Sequence, residues 1–187
     1  MSKLPIRWRL HAPLALLVVV LSHMLAVWAL PRVIMDRVIS LGDREALTQN
    51  SETGVYLPPP TDHTQRRIVM PSPDLLYATC AYDVGERPLR VTLDINYPRY
   101  WSIALYASTS DNFFVVNDRD AAGAAVEFIL QGPNAQASAR GTSENLGTVI
   151  RSPTDRGFLL MRVLVNDDPA VRASAETARR QLRCQSL

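Results

Sequence analysis

The side chains able to carry chemistry in this 187-residue sequence are mainly carboxylates and amides gathered around one short apolar run. They are Asp83, Asp111, Asn112, Asn117 and Asp118, the last four flanking the apolar residues 113–116. Two carboxylates can act together as general acid and base, and oxygen ligands suit Ca²⁺. The same residue types also bound strands and close tight turns through bonds to the backbone. We favour the turn role and keep the group as candidate ligand-binding residues, with no catalytic residue assigned.

Aromatic residues add two further candidates. Tyr100 and Trp101 stand next to each other, with Tyr97 and Tyr106 nearby. Such a group can line a pocket for a sugar or a lipid, but aromatic side chains on a hairpin more often form the core or cover its edge. We therefore include Tyr100 and Trp101 among the candidate ligand-binding residues.

Other catalytic chemistries lack the residues that they need. Lys3 is the only lysine, which removes Schiff-base chemistry and a phosphate-loop lysine from the rest of the chain. His63 is the only histidine after residue 23, so a histidine-based triad or metal centre is not expected. We predict no cofactor.

One partial calcium motif occurs near the acids. Asp118, Asp120 and Gly123 match positions 1, 3 and 6 of an EF-hand loop. Position 5 is Ala122 and position 12 is Ile129, where the loop needs oxygen ligands. The match is therefore a chance one, and we predict no metal site.

The net charge differs between the N-terminal and C-terminal parts of the chain. Residues 1–67 carry a net charge of +3, whereas residues 68–187 carry −1. Nucleic-acid binding needs a basic patch on the folded domain, so it is not expected. The composition, with 47% apolar and 20% charged residues, fits one globular domain plus an additional segment.

That additional segment is the uncharged run 12–30. At about 1.5 Å per residue, a helix of this length reaches roughly 28 Å, enough to cross the hydrocarbon core. A cleaved signal peptide is the alternative, because the run follows a basic start and Val27 and Ala29 loosely imitate a cleavage site. The run is longer than usual for a signal peptide, and Trp28 crowds the site, which favours an uncleaved transmembrane helix whose partner is the lipid bilayer.

The flanking charges predict the orientation of this helix. Three basic residues precede the run (Lys3, Arg7 and Arg9), whereas two arginines and an aspartate follow it (Arg32, Arg37 and Asp36). The positive-inside rule then places residues 1–11 in the cytoplasm and the remainder outside it. We expect a single-pass membrane protein whose C-terminal domain lies outside the cytoplasm.

The two cysteines both lie on the predicted outer side. Cys80 and Cys184 have no C-x-x-C spacing, so neither a zinc site nor a thioredoxin-like motif is indicated. An exposed thiol close to residue 187 would oxidise in an oxidising compartment outside the cytoplasm. We predict a disulfide between them, the alternative being one buried and one incidental thiol.

Residues 31–67 connect the run to the domain. Apolar residues spaced among charges over 32–48 predict a helix that continues from the span or lies at the membrane surface. Periodicity is lost over 49–67, where Pro58, Pro59 and Pro60 favour extended geometry. We interpret this stretch as a semi-rigid spacer.

Residues 68–187 alternate short apolar or β-branched runs with turn residues, which is typical of strands. The predicted strands are 75–84, 89–95, 101–107, 113–116, 125–130, 147–150 and 158–165. The Ala- and Arg-rich stretch 169–182 predicts a C-terminal helix capped by Asp167 or Asp168. The fold class is therefore mainly β: one transmembrane helix, then an antiparallel β-sandwich or partly closed barrel of about seven strands with a C-terminal helix.

Several motifs in this domain are similar to those of one bacterial family. They are Pro71-Ser72-Pro73-Asp74-Leu75-Leu76-Tyr77, Pro88-Leu89-Arg90-Val91, Tyr100-Trp101-Ser102 and Asp111-Asn112-Phe113-Phe114-Val115-Val116-Asn117-Asp118. Over residues 70–165 the chain resembles the domain-of-unknown-function family DUF1254, specifically its short membrane-anchored branch. The resemblance implies no reaction, but longer relatives carry a second domain after this one. It marks, without roles, Asp74, Tyr77, Asp83, Tyr100, Trp101, Asp111, Asn112, Phe113, Asn117 and Asp118.

These features predict a non-catalytic function. We expect the periplasmic domain to act as a binding or assembly module, with a separately encoded companion domain as partner. The alternative is an envelope hydrolase or transferase with an acid/base pair among Asp83, Asp111 and Asp118. The two differ in whether those acids converge on one pocket.

Overall fold

The computed structural model describes residues 6–49, 53–62, 64, 71–135 and 148–187. Its elements are α1 (Ile6–Gln49), β1 (Leu75–Asp83), β2 (Leu89–Leu93), β3 (Trp101–Ala107), β4 (Asn112–Asn117), α2 (Asp118–Ala121), β5 (Val126–Gln131), β6 (Thr148–Arg151), β7 (Arg156–Leu164), α3 (Pro169–Arg179) and β8 (Leu182–Ser186). Residues 1–5 of the predicted cytoplasmic segment, residues 50–52, 63 and 65–67 of the spacer, residues 68–70 at the predicted start of the domain, and Gly147 at the start of a predicted strand lie outside the described residues.

The N-terminal helix α1 runs without interruption through Pro13 and Pro31. By length and composition, its segment His11–Glu45 could cross a membrane. The side chains of residues 11–28 are exposed to solvent. At the end of the uncharged run, the Arg32 guanidinium lies 4.5 Å from the ring centre of Trp28 and donates to the Trp28 carbonyl oxygen at 2.6 Å. These properties suit a membrane span or a signal sequence.

Two four-stranded sheets form the β domain. The first sheet has the order β1-β7-β3-β4, and the second has the order β6-β5-β2-β8. Buried side chains from both sheets share one core, and the rings of Phe114 on β4 and Phe128 on β5 approach to 5.4 Å between centroids. The predicted β-sandwich with a helix near its C-terminal end is confirmed.

Two details of the sheets differ from the prediction. The second sheet contains a parallel pair, β5 with β6. A parallel pair needs a connection longer than a hairpin, and residues 132–147 separate the two strands. An eighth strand, β8, follows α3, which ends at Arg179, so the predicted helix was too long at its C-terminal end.

The core follows the period-two burial that a sandwich requires. On β7, Gly157, Leu159, Met161 and Val163 are buried, while the residues between them face the outside of the first sheet and are half-buried. The strand is central, between β1 and β3, in keeping with its almost wholly apolar composition. The half-buried outer residues show that this outer face is partly covered.

The covering element is the second half of α1. Ile39 is buried, and Gly42 lies so close to Phe158 and Ala81 that an added Cβ would stand 3.0 Å from the Phe158 ring. Arg156 on β7 forms ion pairs with two acids of the helix, Asp36 at 3.4 Å and Asp43 at 3.5 Å. The glycine is what permits this approach of helix to sheet, because it has no side chain at the contact.

Part of the predicted spacer packs onto the sandwich. Val55 is buried in the core, and Tyr56 forms a two-way backbone bridge with Thr79 of β1, with N···O distances of 2.8 and 2.9 Å. The Thr53 carbonyl oxygen accepts a hydrogen bond from the Cys184 N–H. Residues 53–57 therefore belong to the sandwich, because their backbone groups pair with two of its strands.

Candidate functional site

Three of the candidate residues, Tyr100, Asn112 and Asn117, lie on one margin of the first sheet, which we call the β4 edge (Asn112–Asn117 and Tyr100). Strand β4 pairs with β3 on one side, and among the described residues no strand pairs with its other side. Val115 points to the outer face, opposite Ala104, and its side chain is 46% exposed. Backbone N–H and C=O groups on such an edge are free to pair with another chain.

The bulge in β4 sets which side chains point inward. The pairing passes from Leu105–Phe114 to Tyr106–Asn112, so Phe113 has no partner of its own in the ladder. Phe113 and Phe114 both pack against the core. The Asn112 side chain turns back and donates to the Leu105 carbonyl oxygen at 3.3 Å. A bulge on an edge strand is a common way to redirect its side chains.

Asn117 ends β4 and caps the short helix α2. Its Oδ1 accepts hydrogen bonds from the N–H groups of Arg119 and Asp120, at 2.9 and 3.2 Å, and the Asp120 carboxylate accepts from the Asn117 N–H. This is a capping box. Asp118 is in the first turn of α2, where a negative charge is favourable.

Asp111 and Asp83 also serve turns. The Asp111 carboxylate accepts from the Thr109 hydroxyl at 2.6 Å, beside Ser110, whose φ is +74°. The Asp83 carboxylate accepts from the Gly85 N–H at 3.0 Å. In both cases the acid holds a local backbone turn, which is the role that the sequence favoured.

The three acids considered for catalysis do not share one pocket. Asp111 and Asp118 lie beyond opposite ends of β4, about 20 Å apart at the rise of an extended strand. Asp83 ends β1, which is separated from β4 by two strands, and three strand spacings amount to about 14 Å. Paired carboxylates of glycoside hydrolases stand about 5–9.5 Å apart, so this arrangement favours turn formation.

The aromatic candidates have different positions. Trp101 is buried in the core. Tyr100 is 41% exposed, and its hydroxyl donates to Ser102 Oγ at 2.9 Å. Tyr100 lines a surface depression of about 440 Å³ together with Asn117, Asp118 and Arg119. The structure therefore brings Tyr100, Asn117 and Asp118 together, while Trp101, Asp111 and Asp83 lie elsewhere.

The two cysteines meet in the core. Cys80 on β1 and Cys184 on β8 are both buried, and both are thiols in the structure. Burial, together with a hydrogen bond to Cys80, raises the pKa of the Cys184 thiol well above its usual range. The expected exposure of Cys184 was wrong, because β8 carries it into the sandwich. The disulfide itself stays a prediction.

Tyr82 forms a buried polar contact between two strands and a turn. Its hydroxyl donates to the Tyr106 carbonyl oxygen at 3.0 Å and lies 3.3 Å from Ser152 Oγ. Burial raises the pKa of Tyr82 to about 12. Gly157 makes room for this ring, since an added Cβ would overlap the Tyr82 hydroxyl.

Sequence reasoning missed a cavity between α1 and the outer face of the first sheet, and the arginine in it. Arg162 lines the cavity from β7. Its Nε atom is buried and has no hydrogen-bond partner. The available signal in the sequence was a charged residue inside the apolar stretch 159–165. Burying a charge costs free energy unless the charge is paired or binds a ligand. Among the described residues, no group of three metal-ligating side chains occurs.

Comparisons with known proteins give a family, from a family model, and a similar fold, from a solved structure. A family model described as "Protein of unknown function (DUF1254)" matches residues 52–186. The VPA0106 protein from Vibrio parahaemolyticus has a similar crystal structure, with a TM-score of 0.52 and 19% identity over 60% of this chain and 28% of that chain. An uncharacterised protein from Burkholderia cenocepacia matches with a TM-score of 0.45 and 21% identity, over 80% of this chain and 40% of its own. Both solved chains are thus much longer than the part matched. No curated protein matches this chain.

Proposed function

We propose that this chain, which belongs to the DUF1254 family of proteins of unknown function, is a membrane-anchored binding module that docks a partner at its β4 edge. The observation that carries the proposal is the open side of β4, next to the exposed Val115 and Tyr100. An unpaired strand edge offers main-chain hydrogen bonds to a partner, and neighbouring side chains supply specificity. The acids nearby already hold turns, which favours binding over catalysis.

The partner that we infer is a separately encoded companion domain. It would resemble the part of longer relatives that lies outside the match, since this chain covers 28% of the Vibrio chain. The surface depression beside Tyr100 continues the β4 edge and adds both signs of charge, from Asp118 and Arg119. A partner adding a strand to β4 would cover Val115 and reach this depression.

The anchor in this proposal is residues 12–30 of α1, inserted in the bacterial inner membrane. Its support is the uncharged length of the run and the exposure of its side chains. The charge asymmetry around the run favours a cytoplasmic N-terminus and a periplasmic β domain. A reporter that works only outside the cytoplasm, fused after Leu187, should be active, and the mature chain should keep its N-terminus. A mature chain that begins near Leu30, or a cytoplasmic C-terminus, would contradict the anchor.

Site-specific photo-crosslinking in the native host tests the docking. A photo-reactive residue at Val115 should give one adduct with a chain of the expected companion type, identified by mass spectrometry. Val149 is the matched control, because it is 47% exposed on β6 at the edge of the other sheet. Equal adducts at both positions, or an adduct only with a second copy of this chain, would overturn the proposal.

Val115→Lys provides a second test of the same edge. A lysine on an edge strand discourages pairing with another strand. In this experiment the photo-reactive residue replaces Tyr100. We expect Val115→Lys to abolish the crosslink from that position to the companion chain, whereas Val149→Lys should leave the crosslink in place. Thermal unfolding of both variants checks that the sandwich is intact.

A further inference from the structure

The cavity between α1 and the first sheet has a volume of about 760 Å³. This lies within the range of about 300–1,000 Å³ that is usual for ligand sites. Its helix wall includes Leu30, Ile34 and Val38, and its sheet wall includes Leu75 and Leu160. The walls are mostly apolar, so the cavity suits a hydrocarbon chain better than a polar metabolite.

Arg162 is the one charged side chain among the residues that line this cavity. It lies on β7 between Tyr77 of β1 and Ser102 of β3 in the register of the sheet. Its Nε atom is buried without a hydrogen-bond partner, and no ion pair joins its guanidinium to another described residue. Since a guanidinium stays protonated, an unpaired one in an apolar wall is costly. An anionic group in the cavity would remove that cost.

The position of the cavity relates it to the proposed membrane span. Leu30 is the last residue of the uncharged run 12–30, and Pro31 and Ile34 continue the same wall. Leu30 is also 60% exposed. The cavity therefore begins where the apolar run ends, at the level where a lipid beside the helix would carry its headgroup.

We propose that this cavity holds an acyl chain of an anionic phospholipid from the bilayer, with a phosphate oxygen accepting hydrogen bonds from Arg162. The apolar walls bury the hydrocarbon, and a charge-assisted bond from Arg162 holds the phosphate. An anionic headgroup is preferred because a zwitterionic one would bring a second positive charge, its ammonium, close to the Arg162 guanidinium. The inference rests on the anchor in the proposed function and is independent of docking at the β4 edge.

Nanodiscs provide the test with the full chain. The protein is inserted in discs that contain phosphatidylglycerol and phosphatidylethanolamine in equal amounts, with the same acyl chains. It is then released, and the retained lipid is identified by native mass spectrometry. We expect one phosphatidylglycerol per chain, preferred about tenfold, since only phosphatidylethanolamine places an ammonium beside the Arg162 guanidinium and repulsion between two such charges is of that order.

Two pairs of variants distinguish the contribution of the headgroup to lipid binding from the contribution of the cavity. Arg162→Gln should bring the ratio of retained phosphatidylglycerol to phosphatidylethanolamine close to one. Arg90→Gln, on the surface of β2, should leave this lipid ratio unchanged. Leu160→Trp should fill the cavity and reduce lipid retention of either kind. Leu164→Trp is its control, because Leu164 lies on the same strand and face but outside the lining residues.

Each outcome is decisive. Failure of the chain to enter the discs contradicts the anchor. Entry without retained lipid, or an equal lipid ratio in the wild type and in Arg162→Gln, overturns the cavity assignment. Recovery of a free fatty acid, or of a second copy of the chain in place of lipid, overturns it as well. If thermal unfolding shows that Leu160→Trp does not fold, the Arg162→Gln comparison decides alone.

Discussion

Arg179 donates from one terminal nitrogen to the carbonyl oxygen of Pro58 at 2.7 Å, although the two residues are far apart in the sequence. The same nitrogen donates to the Tyr77 carbonyl oxygen at 2.8 Å, and Nε donates to Glu176 at 2.6 Å. Arg179 is only 4% exposed. One buried guanidinium thus joins α3, the segment before β1, and β1 itself.

We predict that Arg179→Met lowers the free energy of unfolding by about 3 kcal/mol, because it leaves buried carbonyl oxygens without their charged donor. The matched control is Arg180→Met, since Arg180 pairs with the same Glu176 but its side chain is 61% exposed. That substitution should change stability by less than about 1 kcal/mol. Urea unfolding of both variants measures the difference, and equal losses would contradict the role of Arg179.

Stability should fall at alkaline pH through Tyr82. Its folded-state pKa is raised from 10.0 to about 12, so the unfolded chain loses this proton first. Protonated Tyr82 therefore contributes about 3 kcal/mol at most to the free energy of unfolding. This contribution is fully present below pH 10 and is lost as the pH rises to about 12. Tyr82→Phe should flatten this part of the stability profile, although it also loses a hydrogen bond.

Tyr100→Phe is the control for that experiment, because Tyr100 is 41% exposed whereas Tyr82 is buried. Between pH 9 and 12, the stability of Tyr100→Phe should change with pH in the same way as that of the wild type. The measurement is the unfolding midpoint in urea at each pH. A Tyr82→Phe profile as steep as the wild type would show that another group dominates.

Cys80 and Cys184 should be joined when the protein is isolated without reductant. Their thiols already touch across the two sheets, and closing a loop of about 100 residues is worth about 4–5 kcal/mol in the chain-entropy model. Denatured protein should therefore resist thiol labelling until it is reduced. Quantitative labelling of both cysteines before reduction would contradict the bond.

Asp111 should tolerate an amide better than a methyl group. Asp111→Asn keeps an acceptor for the Thr109 hydroxyl, so we expect little change in unfolding free energy. Asp111→Ala should cost about 1 kcal/mol. Asp111→Asn should also keep the function of the protein in the cell. If it keeps wild-type stability but abolishes that function, the acid has a catalytic role and the binding-module proposal is wrong.

Local patterns predicted the parts of this structure that depend on local physics. Short apolar or β-branched runs between turn residues predicted seven of the eight strands. Asp111 and Asn117 take their turn roles from neighbours within three residues. The strand β8 was missed because five residues directly after a helix offer too little alternation to distinguish them from its last turn.

Long-range partners explain what the sequence did not reveal. Nothing near Arg179 indicates that it contacts Pro58, and nothing near Arg162 indicates that α1 lies over its strand. The same is true of Cys184, whose burial depends on pairing of β8 with β2. These relationships arise from the order of strands in the two sheets, which local periodicity does not encode.

The strand order also dictates when the domain can fold. Strand β1 pairs with β7, and β2 lies between β5 and β8, so each sheet needs a strand from late in the sequence. Contacts of such long sequence separation form slowly. Until β7 and β8 are present, β1 lacks its partner strand and β2 lacks one of its two. A chain crossing a membrane in its unfolded form would therefore depend on protection from aggregation until nearly all of it had emerged.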